Sequence, residues 1–126
     1  NRTSRMRNKL LESKQIGIDV IEINRYRENS FFENQSFYEK IFTKSEIDYC
    51  KRFSDPYPHF AGKFALKEAV QKSIHKDLVF NKIETFHSNS KPKIRLHNSK
   101  EKYQFISSIS HENKFAIAIT ISEKTI

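Results

Sequence analysis

The chain has 126 residues, of which 37% are hydrophobic, and a mean hydropathy of -0.73, so it forms one domain with a single core and little apolar material to spare. Lys and Arg total 23 against 15 Asp and Glu, a net charge of +8 that predicts an anionic partner: nucleic acid, an acidic protein, a phosphate-bearing small molecule or an anionic membrane. A lone Cys50 excludes an internal disulfide framework and a Cys-based zinc site, two Gly exclude a Gly-rich phosphate loop, and no apolar run is long enough for a transmembrane helix. A cytoplasmic protein is the expectation.

Residues 1–15 carry five basic side chains against Glu12 and read as a flexible basic tail, leaving residues 16–126 as the domain. Ile16 to Ile23 is rich in β-branched residues with apolar positions on both faces, which predicts a buried strand. Asn24 offers an N-cap for a short helix towards Phe31. Thr43 and Glu46 have capping-box spacing, so a helix starts near Lys44 and ends before Asp55-Pro56. From about His59 to Ile74 the pattern is that of a well-buried helix, with Gly62 marking either close backbone packing or the approach of a ligand. Lys82 to His87 and Lys93 to Leu96 read as strands joined by the turn-prone Asn89-Ser90-Lys91-Pro92. Gln104 to Ser110 and Phe115 to Ser122 complete the set, the last alternating large and small apolar residues as if covered on both faces. The fold class is α+β, a small antiparallel sheet packed on a long central helix. The 11 Phe and 5 Tyr supply most of the core volume.

Two acids break the packing rules. Asp19 lies mid-strand among Ile18, Val20 and Ile21, although Asp is depleted in strands. Glu68 projects from the central helix between Phe64 and the Ala61/Ala65 stripe, where an unpaired anion is costly, so it is expected to be salt-bridged, hydrogen-bonded or bound to a metal. Its simplest mate is Lys72, one turn on. If strand and helix pack together, the two carboxylates converge on a hard cation, most economically Mg²⁺, which leaves room for phosphate oxygens. Lys63, Lys67 and Lys72 on the same helix complement such a substrate, or form a solvated face. His59, His75, His87 and His97 show no metal-ligand spacing and take no role.

In chain order, GIDVIEINR (Gly17 to Arg25), FTKSE (Phe42 to Glu46), AGKFALKEAVQK (Ala61 to Lys72), Lys91-Pro92 and SISH (Ser108 to His111) resemble the ordered motifs of the short-type phosphopantetheinyl transferases, the family of holo-acyl-carrier-protein synthases. The resemblance implies transfer of the phosphopantetheine arm of coenzyme A to a serine of an apo acyl carrier protein, with Mg²⁺, releasing adenosine 3′,5′-bisphosphate. It also implies a homotrimer with active sites between neighbouring subunits. On the matching positions it makes Asp19 and Glu68 the metal ligands and Lys72 the neutraliser of the pyrophosphate. Lys63, Ser110 and His111 fall on coenzyme A contacts, and Arg25 on a contact to the acidic carrier helix, which accounts for the basic charge. Lys63 stands where the family usually has Arg, so it offers a point charge instead of a bidentate fork. The identity of the general base stays open.

The chain departs from the family pattern in three places. Ser73 to Asp77 lacks the usual Gly, Ser90 replaces Gly before Lys91-Pro92, and only NSKEKY occupies the stretch where a further helix is expected. Two other readings remain at this stage: a non-enzymatic nucleic-acid-binding module driven by the basic surface, and a carrier-protein or coenzyme A binder that has lost catalysis.

Overall fold

The computed structural model describes residues 11–125. Strand β1 (Lys14–Glu22) leads into three short helices, α1 (Asn24–Arg27), α2 (Gln35–Ile41) and α3 (Lys44–Cys50), and then the long α4 (Tyr57–Ile74). A single 3-10 turn (Phe80–Lys82) precedes the hairpin β2 (Ile83–Ser88) and β3 (Lys91–Leu96), and β4 (Tyr103–His111) and β5 (Phe115–Lys124) close the chain. Most of the basic tail falls on residues 1–10, outside the described residues, while Lys14 and Gln15 already pair with Glu123 and Ser122 in the sheet.

The strands form an antiparallel three-stranded sheet, order β1-β5-β4, and a separate β2-β3 hairpin. Asn89 and Ser90 link the hairpin with φ of 53° and 64°, the left-handed pair that a two-residue turn needs to follow the strand twist. Helix α4 crosses the inner face of the larger sheet. Its small residues Ala61, Gly62, Ala65 and Ala69 let the strands come close. A Cβ on Gly17 would stand 2.0 Å from the Ala69 carbonyl oxygen, so only glycine lets β1 seat on the helix there. The packing inferred for Gly62 is also present, since its Cβ position lies 3.1 Å from Ile109 Cγ2.

Aromatic rings fill the space on the other side of α4. Tyr26, Phe31, Tyr38, Phe42 and Phe60 interlock with ring centroids 4.8 to 6.2 Å apart. Tyr38 also fixes the preceding loop by donating its hydroxyl to the Asn29 carbonyl at 2.6 Å.

Thr43 and Glu46 close a capping box on α3, and that helix runs from Lys44 to Cys50, ending before Asp55-Pro56 as its spacing predicts. Other local expectations are corrected. Asn24 is the first residue of α1 and not its cap, its side chain accepting instead from Arg27. Helix α2 carries no side-chain cap, so its start had no sequence signal. The largest correction concerns the sheet. Ile16, Ile18 and Val20 are 62%, 52% and 56% exposed, and Phe115, Ile117 and Ile119 beside them are exposed to a lesser degree, so among the described residues β1 and β5 are covered on one face only.

Candidate active site

Cross-strand neighbours on a sheet share a face, and Asp19 lies opposite Ala118, which in turn lies opposite Ile109. This row faces α4. Asp19 therefore points towards the helix, where the Lys72 ammonium donates to its Oδ1 at 2.9 Å and to the Ile18 carbonyl at 3.1 Å. The Lys72 partner expected from local spacing was Glu68, and the fold replaces it with an acid 53 residues away.

Glu68 is half-buried, and it has neither a hydrogen bond nor an ion pair among the described residues. Its carboxyl is held above the ordinary range, first by burial and then by the Asp19 charge, with Lys72 and Arg25 acting in the opposite sense. Two carboxylates thus share one electrostatic neighbourhood, in which the Lys72 ammonium is paired with Asp19 alone. No cluster of three or more His, Cys, Asp or Glu that could hold a metal occurs among the described residues. The donor set is a pair of carboxylates, which suits Mg²⁺, an ion that binds through one or two carboxylates and leaves its other positions to water and phosphate oxygens.

The three lysines of α4 meet different fates. Only Lys72 is exposed. Lys67 is completely buried, its ammonium 2.7 Å from Glu46 Oε1 and also donating to the carbonyls of Ile41, Phe80 and Ile83. Glu46 completes the network by accepting from the Thr43 and Thr85 backbone N–H groups. Lys63 is 3% exposed, donates to the Thr85 carbonyl and hydroxyl at 3.1 Å each, and lies over the Tyr49 ring. Neither Lys63 nor Lys67 belongs to a solvated face. Lysines at helical spacing look alike in sequence, and no local signal marks Lys67 as an interior residue.

At 100° per residue, Lys63 and Glu68 leave α4 about 140° apart, so they serve opposite flanks of the helix. Lys63 lines a pocket with His59, His87 and His111 at the β4 edge of the sheet, whereas Asp19, Glu68 and Lys72 lie at the β1 edge. Ser110 and His111 also part company. Ser110 shares the outer face with Ile117 and Val20, and His111 faces inward opposite Ala116. Arg25 is exposed on α1 at the rim of an apolar groove of about 500 Å³ walled by Tyr26, Phe37, Ile41, Phe64 and Phe80. Cys50 is buried and its thiol pushed up to about 12 by burial, so it is no nucleophile.

A family model, that of the 4′-phosphopantetheinyl transferase superfamily, matches residues 15–120. The chain belongs to this superfamily. Among relatives, the holo-acyl-carrier-protein synthase of Chlamydia felis is 40% identical over 120 residues, spanning 89% of this chain and 98% of that protein. The corresponding synthase of Halothermothrix orenii is 36% identical, over 86% of this chain and 96% of that one. Among solved structures, the Helicobacter pylori synthase in complex with coenzyme A superposes with a TM-score of 0.74 at 34% identity, covering 86% of this chain and 99% of that one. The Bacillus anthracis synthase, also a coenzyme A complex, gives 0.72 at 30% identity, covering 88% and 96%. These superfamily relatives bear out the fold class, a small antiparallel sheet packed on a long helix.

Proposed function

We propose that the chain is a holo-acyl-carrier-protein synthase, transferring the phosphopantetheine arm of coenzyme A to a serine of an apo acyl carrier protein and releasing adenosine 3′,5′-bisphosphate. The observation that carries this reading is Glu68: a half-buried carboxylate without a partner among the described residues, in the electrostatic reach of Asp19 and Lys72, in a chain whose relatives are synthases of this kind. A solely structural acid would be paired, as Glu46 is.

Asp19 and Glu68 would hold Mg²⁺. When bound, the ion would neutralise charge on the pyrophosphate and on the departing bisphosphate. The side chains of the protein do the rest. The serine oxygen attacks the β-phosphorus in line, forming the new P–O bond as the pyrophosphate bridge breaks, the bisphosphate leaves and the hydroxyl proton is released to water. Lys72 has a choice of anions. It rests on Asp19, and its exposed four-carbon stem lets the ammonium move to the pyrophosphate when substrate is present.

Arg25 at the rim of the apolar groove fits a carrier helix that brings an acidic residue to the guanidinium and apolar residues to Phe37, Ile41 and Phe64. The separation of the Asp19 and Lys63 groups to opposite edges of one sheet supports an active site completed between subunits, each protomer giving one edge to each neighbour. The open outer sheet face supports the same self-association, a homotrimer by family resemblance. No described helix is long and apolar enough to cross a membrane.

The test is incubation with coenzyme A, Mg²⁺ and several apo carrier proteins, read by intact-mass spectrometry. A phosphopantetheine adduct on the carrier serine is expected; absence of adduct with every carrier, in the presence of coenzyme A binding, would leave a binder without catalysis and overturn the proposal.

A further inference from the structure

The sequence assigns no role to His59 or His87, yet the fold brings both to one pocket with His111 and Lys63. The pocket, about 170 Å³, opens between α3, the first turns of α4, the end of β2 and the end of β4. The His59 and His111 rings stand edge to face with centroids 5.6 Å apart. Phe53 stacks on His59 at 3.6 Å and Tyr49 on His87 at 5.1 Å, so each imidazole is held by an aromatic plane while its ring nitrogens stay available. Gly62 forms part of the wall and adds no side chain.

The pocket is also free of negative charge. Asp55, the acid that acts on His59, is bound by Arg27 at 2.6 Å. Of the acids that act on Lys63, Glu46 is engaged by Lys67 and Thr85, and Glu84 by His97, Arg95 and Ser45. Lys63 itself has given two of its three N–H donors to Thr85 and faces the Tyr49 ring. Its charge acts on the pocket, but the groups left to make contacts are the imidazoles.

We propose that His59 and His87, together with His111, are the contact groups of a subsite for a doubly charged oxyanion of the phosphate-monoester class, and that the subsite tightens as pH falls. The proposal deepens the coenzyme A reading of Lys63 and His111 and rests on it for the source of the anion. It transfers the direct contacts from the lysine to two histidines that the motif does not contain.

The titration behaviour agrees in sign. Burial lowers His59 first, with His111, His87 and Lys63 adding to it, and burial followed by Lys63 lowers His87, so both rings are neutral in the empty pocket at pH 7. A bound dianion favours the imidazolium, so binding takes up protons. Each proton taken up tightens binding about tenfold per pH unit over the window in which the ring is neutral when free and charged when bound.

The test uses sulfate, which stays a dianion from pH 5 to 8, with binding measured by calorimetry and by the histidine ring resonances in NMR. Sulfate affinity is expected to rise at least about tenfold between pH 7.5 and 6, with the His59 and His87 resonances moving on binding. The His59→Gln/His87→Gln double variant, which keeps His111, is expected to lose most of that slope, while His75→Asn, outside the pocket, retains it. An equal slope in the double variant, or histidine resonances that ignore sulfate, would overturn the proposal. Coenzyme A and dephospho-coenzyme A identify the source: a slope for the first and none for the second points to a nucleotide monoester, and a slope for sulfate alone to a free oxyanion. None of these measurements depends on carrier modification, so failure of the transfer assay and failure of the subsite are separate results.

Discussion

Glu68 is costly to the protein that carries it. Its raised pKa means that the folded state holds the proton more tightly than the unfolded chain, so this group's stabilising contribution is present at low pH and is lost as pH rises above about 4.5. Replacing it by Gln removes the ionised form. We therefore expect Glu68→Gln to raise the melting temperature at pH 7.5 without added metal while lowering transfer on the order of 100-fold. Asp19→Asn, which also strips Lys72 of its partner, should lose activity equally and gain no stability. Added Mg²⁺ should raise the melting temperature of the wild type and of neither variant; a Mg²⁺ shift persisting in Glu68→Gln would contradict the ligand assignment. Lys67 presents the opposite case. Removing one member of a buried ion pair leaves the other charge unpaired, so Lys67→Met should cost about 3–5 kcal/mol in denaturant unfolding. Both acids of the candidate site were legible because each violates a local rule, Asp in a strand and Glu on an apolar helix surface. Lys67 and Glu46 were not, since each obeys its local rule perfectly: a lysine with good helix propensity and a capping glutamate. Their pairing exists only after α3, α4 and β2 have met.

Elements were legible to the degree that their ends carry chemical marks. The Thr43 capping box on α3 and the proline-bounded entry to α4 were visible, and α2, without a side-chain cap, was not. The seating of β1 on α4 was hidden for a different reason. Gly17 reads as a weak point in a strand, whereas its function is to let a backbone oxygen of α4 approach. Gly17→Ala would drive its methyl group into Ala69 O and Ser73 N, which are helix backbone and cannot step aside. We expect a loss of about 3 kcal/mol, at the top of the usual overpacking range. Transfer activity should fall with it, because Asp19 lies two residues along the displaced strand. An alanine variant of native stability would show that β1 can shift without penalty.

At the level of the whole molecule, the two-sided apolar pattern of β1 and β5 led to an expectation of cover on both faces, and among the described residues one of those faces has none. Ile16, Ile18, Val20, Ile117 and Ile119 form a contiguous face in register across the two strands. If other copies cover it, Ile119→Glu should dissociate the assembly in light-scattering measurements and abolish transfer while preserving the secondary structure seen by circular dichroism. An unchanged mass would place self-association elsewhere. The contact between Gly17 and Ala69 also bears on ion exchange. Because backbone meets backbone there, no side chain separates the strand carrying Asp19 from the helix carrying Glu68, and the two carboxylates stand on one close-packed frame. If they hold a divalent ion as proposed, the Lys72 ammonium must first leave Asp19. The speed of loading would then fall to the ion's own reluctance to shed water, so Mg²⁺ should load more slowly than divalent ions that dehydrate readily.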